Sequence, residues 1–197
     1  MTLATLHAGA LALLTPLVAA VRPEDLDRPT PCAEWTVRIL LEHIVGQQDG
    51  FAAAAHGRGD APGAFDDRPL PPGTDLSAAY VRSATALTEA FTEAEAEGRP
   101  FALPGILPGH PFPAAQAIGF HLLDTVVHGW DLAAALGRSF DCPQELLGPV
   151  LQITELVPAD GAFRGPGRAF GPVLPGAPEG GFDRVLLLLG RDPAWKR

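Results

Sequence analysis

Apolar residues recur at helical spacing along most of this chain, and the pattern predicts five main helices. Residues three and four apart share one face of a helix. Thr36 suits the N-cap of the second helix, Pro113 the first position of the fourth, and Gly137 its end. The predicted helices span residues 2–21, 36–55, 74–98, 113–137 and 143–156.

The segments between these helices are rich in proline and glycine and predict loops, chiefly residues 57–73 and 98–113. Residues 158–181 are also rich in glycine and proline and predict irregular structure. The apolar segment Phe182–Gly190 fits either a helix or a strand, and we favour a helix docked on the others. With neither a repeat nor an alternating strand pattern, the sequence predicts an all-α protein. We expect an up-down bundle of four main helices with an extra C-terminal helical and irregular segment, in one domain spanning residues 1–197.

Composition narrows the class of partner. Hydrophobic residues make up 47% of the chain and charged residues 19%, which is typical of a globular protein. The formal net charge of −9 and the absence of a basic cluster argue against nucleic acid. The apolar run Leu3–Val21 has no basic residue before it, is rich in alanine and contains Pro16. These features favour a buried helix over a signal peptide or a membrane span, so we expect a cytoplasmic protein without a membrane partner.

The chemistry is concentrated in the fourth predicted helix. His121, Asp124 and His128 occupy relative positions 0, +3 and +7, which places them on one face among apolar neighbours. Because a buried carboxylate is costly unless it is paired, a divalent metal is a natural companion. A metal in a bundle needs a ligand from a facing helix, and His43, mid-helix with Leu40 on the same side, is the best donor.

The set His43, Asp124 and His128 offers two nitrogens and one carboxylate oxygen. These donors suit Zn²⁺ with an open position, and also Fe²⁺, Ni²⁺ or Mn²⁺. His121 has several open roles: a catalytic general base, a hydrogen-bond partner of a ligand, a ligand replacing Asp124, or a buried structural histidine. The alternative for the whole set is that these are ordinary polar residues of a helical core.

Four other residues are weaker candidates. Cys32 lies near the start of the His43 helix, a position that can favour a thiolate. The two cysteines of the chain have no CxxC spacing and are read as reduced thiols. Trp35 and Trp130 are interpreted as core residues rather than a substrate platform, and Asp131 as a local cap or pairing partner.

Three segments of this chain resemble a known family. They are Arg28–Arg38 continuing into Leu41–Gly46, then Phe120–Asp124 with Val127–Leu132, and finally Phe182–Pro193. The first two are similar to the metal motifs of the N-terminal domain of mycothiol-dependent maleylpyruvate isomerase. The third is similar to the C-terminus of a shorter branch of that group, within the DinB/YfiT-like superfamily of metal-binding proteins.

The resemblance implies a DinB-like four-helix bundle whose metal ligands are His43, Asp124 and His128. It implies mycothiol as a cofactor beside a divalent metal, and a small-molecule substrate, in an S-transferase or isomerase with His121 as a proton shuttle. Whether the protein forms a homodimer is left open. The isomerase has glutamate where this chain has Asp124, and this chain is expected to lack the isomerase's separate C-terminal domain. The alternatives are a hydrolase or cyclase that uses metal-bound water, and a non-enzymatic metal-binding protein.

Overall fold

A computed structural model describes residues 1–32, 34–161, 163–165, 168–176 and 181–196. Six α-helices lie within these residues: α1 (Leu3–Ala19), α2 (Val37–Ala55), α3 (Leu76–Glu97), α4 (Ala114–Ala135), α5 (Gln144–Leu156) and α6 (Phe182–Leu188). A 3₁₀ turn covers Pro23–Asp25. The predicted all-α class is confirmed, and α6 confirms the helical alternative for the last apolar segment. The predicted irregular stretch 158–181 includes residues 162, 166–167 and 177–180, which lie outside the described residues.

Local signals set the helix ends much as the sequence predicts. The hydroxyl of Thr36 accepts a hydrogen bond from the Ile39 amide at 3.4 Å and so caps α2. Gly137 has a φ of +68°, a left-handed conformation that ends α4 without strain on a side chain. Pro113 differs slightly from expectation, because it is the N-cap of α4 rather than its first helical residue.

The first four helices form the bundle. α1 packs on α3 and α4, and α2 packs on the same two helices, so α1 and α2 lie diagonally across the core. The Tyr80 hydroxyl of α3 is buried and donates to the Leu11 carbonyl of α1 at 2.7 Å. α5 packs on α4 and on α6, which places the C-terminal segment against the outer side of α4. This is the DinB-like four-helix bundle with an added C-terminal part that the sequence predicts.

A glycine allows α4 to approach its neighbours closely. A Cβ atom at Gly129 would lie 2.6 Å from Leu14 Cδ1 of α1 and 2.9 Å from the ring of Phe140. Both distances are shorter than a normal carbon contact, so the absent side chain lets these groups pack directly on the helix. The glycine directly follows His128, one of the predicted ligands.

Two features differ from the sequence prediction. The second loop contains an antiparallel pair, β1 (Phe101–Ala102) and β2 (Pro111–Phe112), which is too short to show an alternating pattern. The second is a contact between helices that the sequence pattern does not predict: Glu95 of α3 accepts hydrogen bonds from the Leu3 and Ala4 amides at 3.0 and 3.1 Å. Its carboxylate therefore caps the start of α1.

None of the described helices has the length and apolar character needed to cross a membrane.

Candidate metal centre

Helices α2 and α4 bring the three sequence-predicted ligands together. His43 comes from the middle of α2, and Asp124 and His128 come from successive turns of α4. One ligand atom from each residue lies within 4.8 Å of the other two. Nε2 of His128 is 3.3 Å from Oδ1 of Asp124, as their four-residue spacing on one helix face requires. His121 does not belong to this group.

Each histidine of this triad is held by a carboxylate. Nδ1 of His128 donates to Oδ2 of Asp131 at 2.9 Å, and Nδ1 of His43 donates to Oδ1 of Asp67 at 3.1 Å. A hydrogen bond at one ring nitrogen fixes the ring orientation and leaves the other nitrogen as the ligand atom. Residues outside the triad therefore orient both of its histidines, Asp131 for His128 and Asp67 for His43.

The loop after α2 lies directly on that helix and delivers Asp67. A Cβ atom at Gly46 would lie 2.7 Å from the Asp66 carbonyl oxygen and 2.8 Å from Asp67 Cα. Only a residue without a side chain permits this approach. The glycine, three residues after His43, thus brings the Asp67 carboxylate within reach of the imidazole.

Trp35 contacts both imidazoles of the triad. Its ring centroid lies 4.6 Å from that of His43 and 5.7 Å from that of His128, with the second pair nearly parallel at 24°. The Thr30 hydroxyl and amide both donate to the Trp35 carbonyl at 3.0 Å, which holds the preceding loop in place. Trp35 packs partly on the core, as interpreted from sequence, but it also covers the two ligands.

Opposite charges dominate the electrostatics of the pair on α4. Burial by itself would lower the pKa of His128, but the carboxylates of Asp124 and Asp131 raise it to about 9. Burial would likewise raise the pKa of Asp124, but His128 holds it well below its ordinary value. For His43 burial prevails, and its pKa lies below the ordinary histidine value. The site therefore concentrates one carboxylate charge between two imidazoles, an arrangement that favours a cation.

His121 lies one turn before Asp124, buried at 2% exposure between the rings of Phe51 and Phe91. Its Nδ1 is 2.7 Å from Nε2 of His7 on α1 and 3.1 Å from the Thr125 hydroxyl. Its Nε2 has no hydrogen-bond partner among the residues that the structure describes. Burial lowers the pKa of His121 to about 4, so the ring is neutral at physiological pH.

Cys32, a weak candidate from the sequence, is a free thiol in the structure. Burial raises the pKa of this thiol to about 12, although Arg191 opposes the effect. The thiol is therefore not activated, because desolvation of the charged form outweighs the helix start.

Sequence reasoning missed three residues that support the site: His7, Asp67 and Arg191. None shares a motif with the residue it contacts, and each reaches the site from a distant part of the chain. Arg191 does fall within the C-terminal segment of the family resemblance, which was the only signal available for it.

The fold and the triad together define a class: a four-helix bundle with a candidate metal centre built from two imidazoles and one carboxylate. Residues 7–133 match the family described as the mycothiol maleylpyruvate isomerase N-terminal domain. The chain belongs to this family. Two uncharacterized proteins from two strains of Mycobacterium tuberculosis are each 35% identical to it over 191 residues, covering 94% of this chain and 95% of theirs.

Solved structures agree on the fold. The crystal structure of the mycothiol-dependent maleylpyruvate isomerase matches with a TM-score of 0.56 at 14% identity, and a single-site mutant of that enzyme matches equally well. The match covers 77% of this chain and 66% of that enzyme, which is less than two thirds of its length. At this identity the likeness concerns the bundle fold.

Proposed function

We propose that this protein is a metal-dependent enzyme that acts on a small molecule with the thiol mycothiol, as an S-transferase or isomerase. The observation that carries the proposal is the convergence of His43, Asp124 and His128 within 4.8 Å. Family membership supports the thiol, because the family is named for a mycothiol-dependent isomerase domain. We also propose that residues 1–197 form a single domain.

The residues present fit a divalent cation. Two imidazole nitrogens and one carboxylate oxygen are a donor set of catalytic zinc sites with an open position, and Ni²⁺, Fe²⁺ and Mn²⁺ also accept it. Both histidines engage Nδ1 with a carboxylate, which supports Nε2 as the ligand atom in each ring. When bound, the cation would supply a Lewis acid that stabilises a thiolate as a nucleophile at neutral pH.

The surrounding side chains would serve that chemistry. Asp67 and Asp131 would orient the rings of His43 and His128, and the Trp35 ring, packed against both imidazoles, would restrict water. Asp124, one methylene shorter than the glutamate of the isomerase, is held by its ion pair with His128.

We propose His121 as the catalytic residue that moves a proton. It is neutral at physiological pH, the form that accepts a proton. When its Nδ1 donates to Nε2 of His7, the lone pair lies on Nε2, which has no partner among the described residues. The His7–His121 contact is compatible with this tautomer, which a base at Nε2 requires.

Calorimetric titration of the metal-loaded protein with mycothiol tests the thiol. We expect saturable binding that the metal-free protein lacks. No heat of binding at millimolar mycothiol would refute thiol dependence. Turnover of a test substrate without any thiol would favour a hydrolase or cyclase that uses water on the same scaffold.

The His121 role has its own test. In His121→Gln we expect retained metal and mycothiol binding with a loss of about 100-fold or more in kcat on maleylpyruvate or a related substrate. A matched change at exposed His110 should leave kcat unaltered. Equal kcat in wild type and His121→Gln would remove the histidine from the mechanism.

A further inference from the structure

We infer that Arg191 is a positioning residue for the candidate metal centre: acting through Asp131, it fixes the imidazole of His128. The C-terminal segment that carries Arg191 and the metal centre would then form one coupled unit. This inference deepens the proposed function by naming a residue that controls the same site. Its first test needs no metal, so it can be judged separately from the proposed function.

Arg191 is a buried cation, and each of its three guanidinium nitrogens has a hydrogen-bond partner. The residue is 5% exposed. Its Nε lies 3.1 and 3.2 Å from the two carboxylate oxygens of Asp131, and its Nη2 lies 3.1 Å from Oδ2. Nη1 donates to the Leu189 carbonyl at 3.3 Å. Such a fork-shaped contact fixes the plane of the carboxylate, which a lysine could not do.

The carboxylate of Asp131 links the arginine to the ligand. Asp131 is fully buried, and its Oδ2 accepts from both Arg191 Nη2 and His128 Nδ1, the latter at 2.9 Å. Without the guanidinium, the bond to His128 would be the only hydrogen bond left to this carboxylate among the described residues. A buried carboxylate with so little compensation is costly and must move or take up a new partner. Either response releases the imidazole from its fixed orientation.

The surrounding fold also holds the backbone of Arg191 in place. Its backbone amide donates to the Leu186 carbonyl of α6 at 2.9 Å. At the preceding residue, Gly190, φ is +78° and an added Cβ would lie 2.5 Å from Gly171 Cα, so the backbone there is closely confined. Val185 and Leu189 are buried in one apolar cluster with residues of α4. The packing around its backbone therefore fixes the position from which the Arg191 side chain reaches Asp131.

The coupled unit extends beyond residues 7–133, the span of the family match. If Arg191 orients His128 for a metal, metal binding must in turn stabilise the segment that carries Arg191, because coupling between two sites is reciprocal. Residues that orient a metal-bound histidine typically change metal affinity about 10–100-fold when they are removed.

The matched variants are Arg191→Gln and Arg184→Gln. Arg184 lies on α6 itself and pairs with Glu155 at 3.0 Å near the surface, away from the triad. In the metal-free proteins, ¹⁵N NMR of the His128 ring reports the proton on Nδ1. We expect a sharp, slowly exchanging signal in wild type and Arg184→Gln, and a broadened or lost one in Arg191→Gln. An unchanged signal in folded Arg191→Gln would overturn the inference.

Zinc affinity, measured by competition with a chromophoric chelator, provides the second readout. We expect Arg191→Gln to bind about 10–100-fold more weakly and Arg184→Gln to match wild type. A cycle with Asp131→Asn should be non-additive, since the arginine acts through that carboxylate. Additive losses, or wild-type affinity in Arg191→Gln, would contradict the inference. If wild type binds no zinc, the proposed function fails, and the NMR result still decides the role of Arg191.

Should Arg191→Gln fail to fold, hydrogen exchange of the wild-type protein replaces it. Zinc should slow amide exchange in α6 and at Arg191 itself. Unchanged exchange there, with zinc bound, would refute the coupling.

Discussion

Acid should destabilise the metal-free protein by protonating its buried histidine rings, His121 among them. Burial lowers the pKa of His121 from 6.5 to about 4. A difference of about 2.5 pKa units corresponds to about 3 kcal/mol of folding free energy, at about 1.4 kcal/mol per unit. The pKa of His7, its hydrogen-bond partner, is lowered in the same direction by burial and by His121.

The sign follows from proton binding. Between pH 6.5 and 4 the unfolded chain protonates His121 and the folded protein does not, so stability falls as the pH falls through this window. His128 behaves oppositely: its pKa is raised to about 9, so its contribution is complete below pH 6.5 and declines only as the pH rises toward 9. The acid window therefore separates the buried His7–His121 pair from His128, whereas His43, whose pKa burial also lowers, adds to the loss of stability in acid.

Urea unfolding of the chelated protein at intervals from pH 6.5 to 4.5 measures the effect. We expect a loss of about 2 kcal/mol over this range from His121 alone. The variant His121→Gln should make the curve shallower, with His7 and His43 supplying the remaining slope. His56→Gln, at an exposed position after α2, should leave the curve unchanged. A wild-type free energy of unfolding that is constant between pH 6.5 and 4.5 would refute the buried, neutral assignment.

Three further predictions concern stability. Glu95→Gln should lower the free energy of unfolding by about 1 kcal/mol in urea titration, because it weakens the charged cap on α1, while Glu89→Gln on the exposed face of α3 should have no effect. Gly129→Ala should be about 1–3 kcal/mol less stable than the matched Gly9→Ala. Both substitutions gain helix propensity, but only a side chain at position 129 would collide with neighbouring atoms, so equal free energies of unfolding would contradict the packing. Zinc at 100 times its Kd should stabilise the protein by about 2.7 kcal/mol in thermal or urea unfolding, and no stabilisation by bound zinc would argue against a native-state site.

The bundle was predictable because its signals are local. The caps at Thr36 and Gly137 act within one turn of their own helices, and apolar spacing identifies each buried face. The spacing of Asp124 and His128 is likewise a local property of α4. His43 could be proposed as the third ligand from its mid-helix position beside Leu40, but only the structure shows that it lies within reach of the other two.

The supporting residues could not be predicted because their partners are remote. Arg191 meets Asp131 sixty residues away, and His7 meets His121 across 114 residues. Sequence periodicity reports which face of an element is buried, but not which element faces it. Burial is equally hidden from the sequence at Cys32: a position near a helix start can favour a thiolate, but burial raises the pKa of this thiol.

Metal content tests the central claim most directly. Wild type, His43→Ala and His128→Ala, with His110→Ala as an exposed-loop control, would be purified without added metal and analysed by mass spectrometry for bound elements. We predict close to one equivalent of a divalent metal in wild type and the control, and a marked loss in the two triad variants. Equal metal content in all four proteins would contradict the assignment of His43 and His128 as ligands.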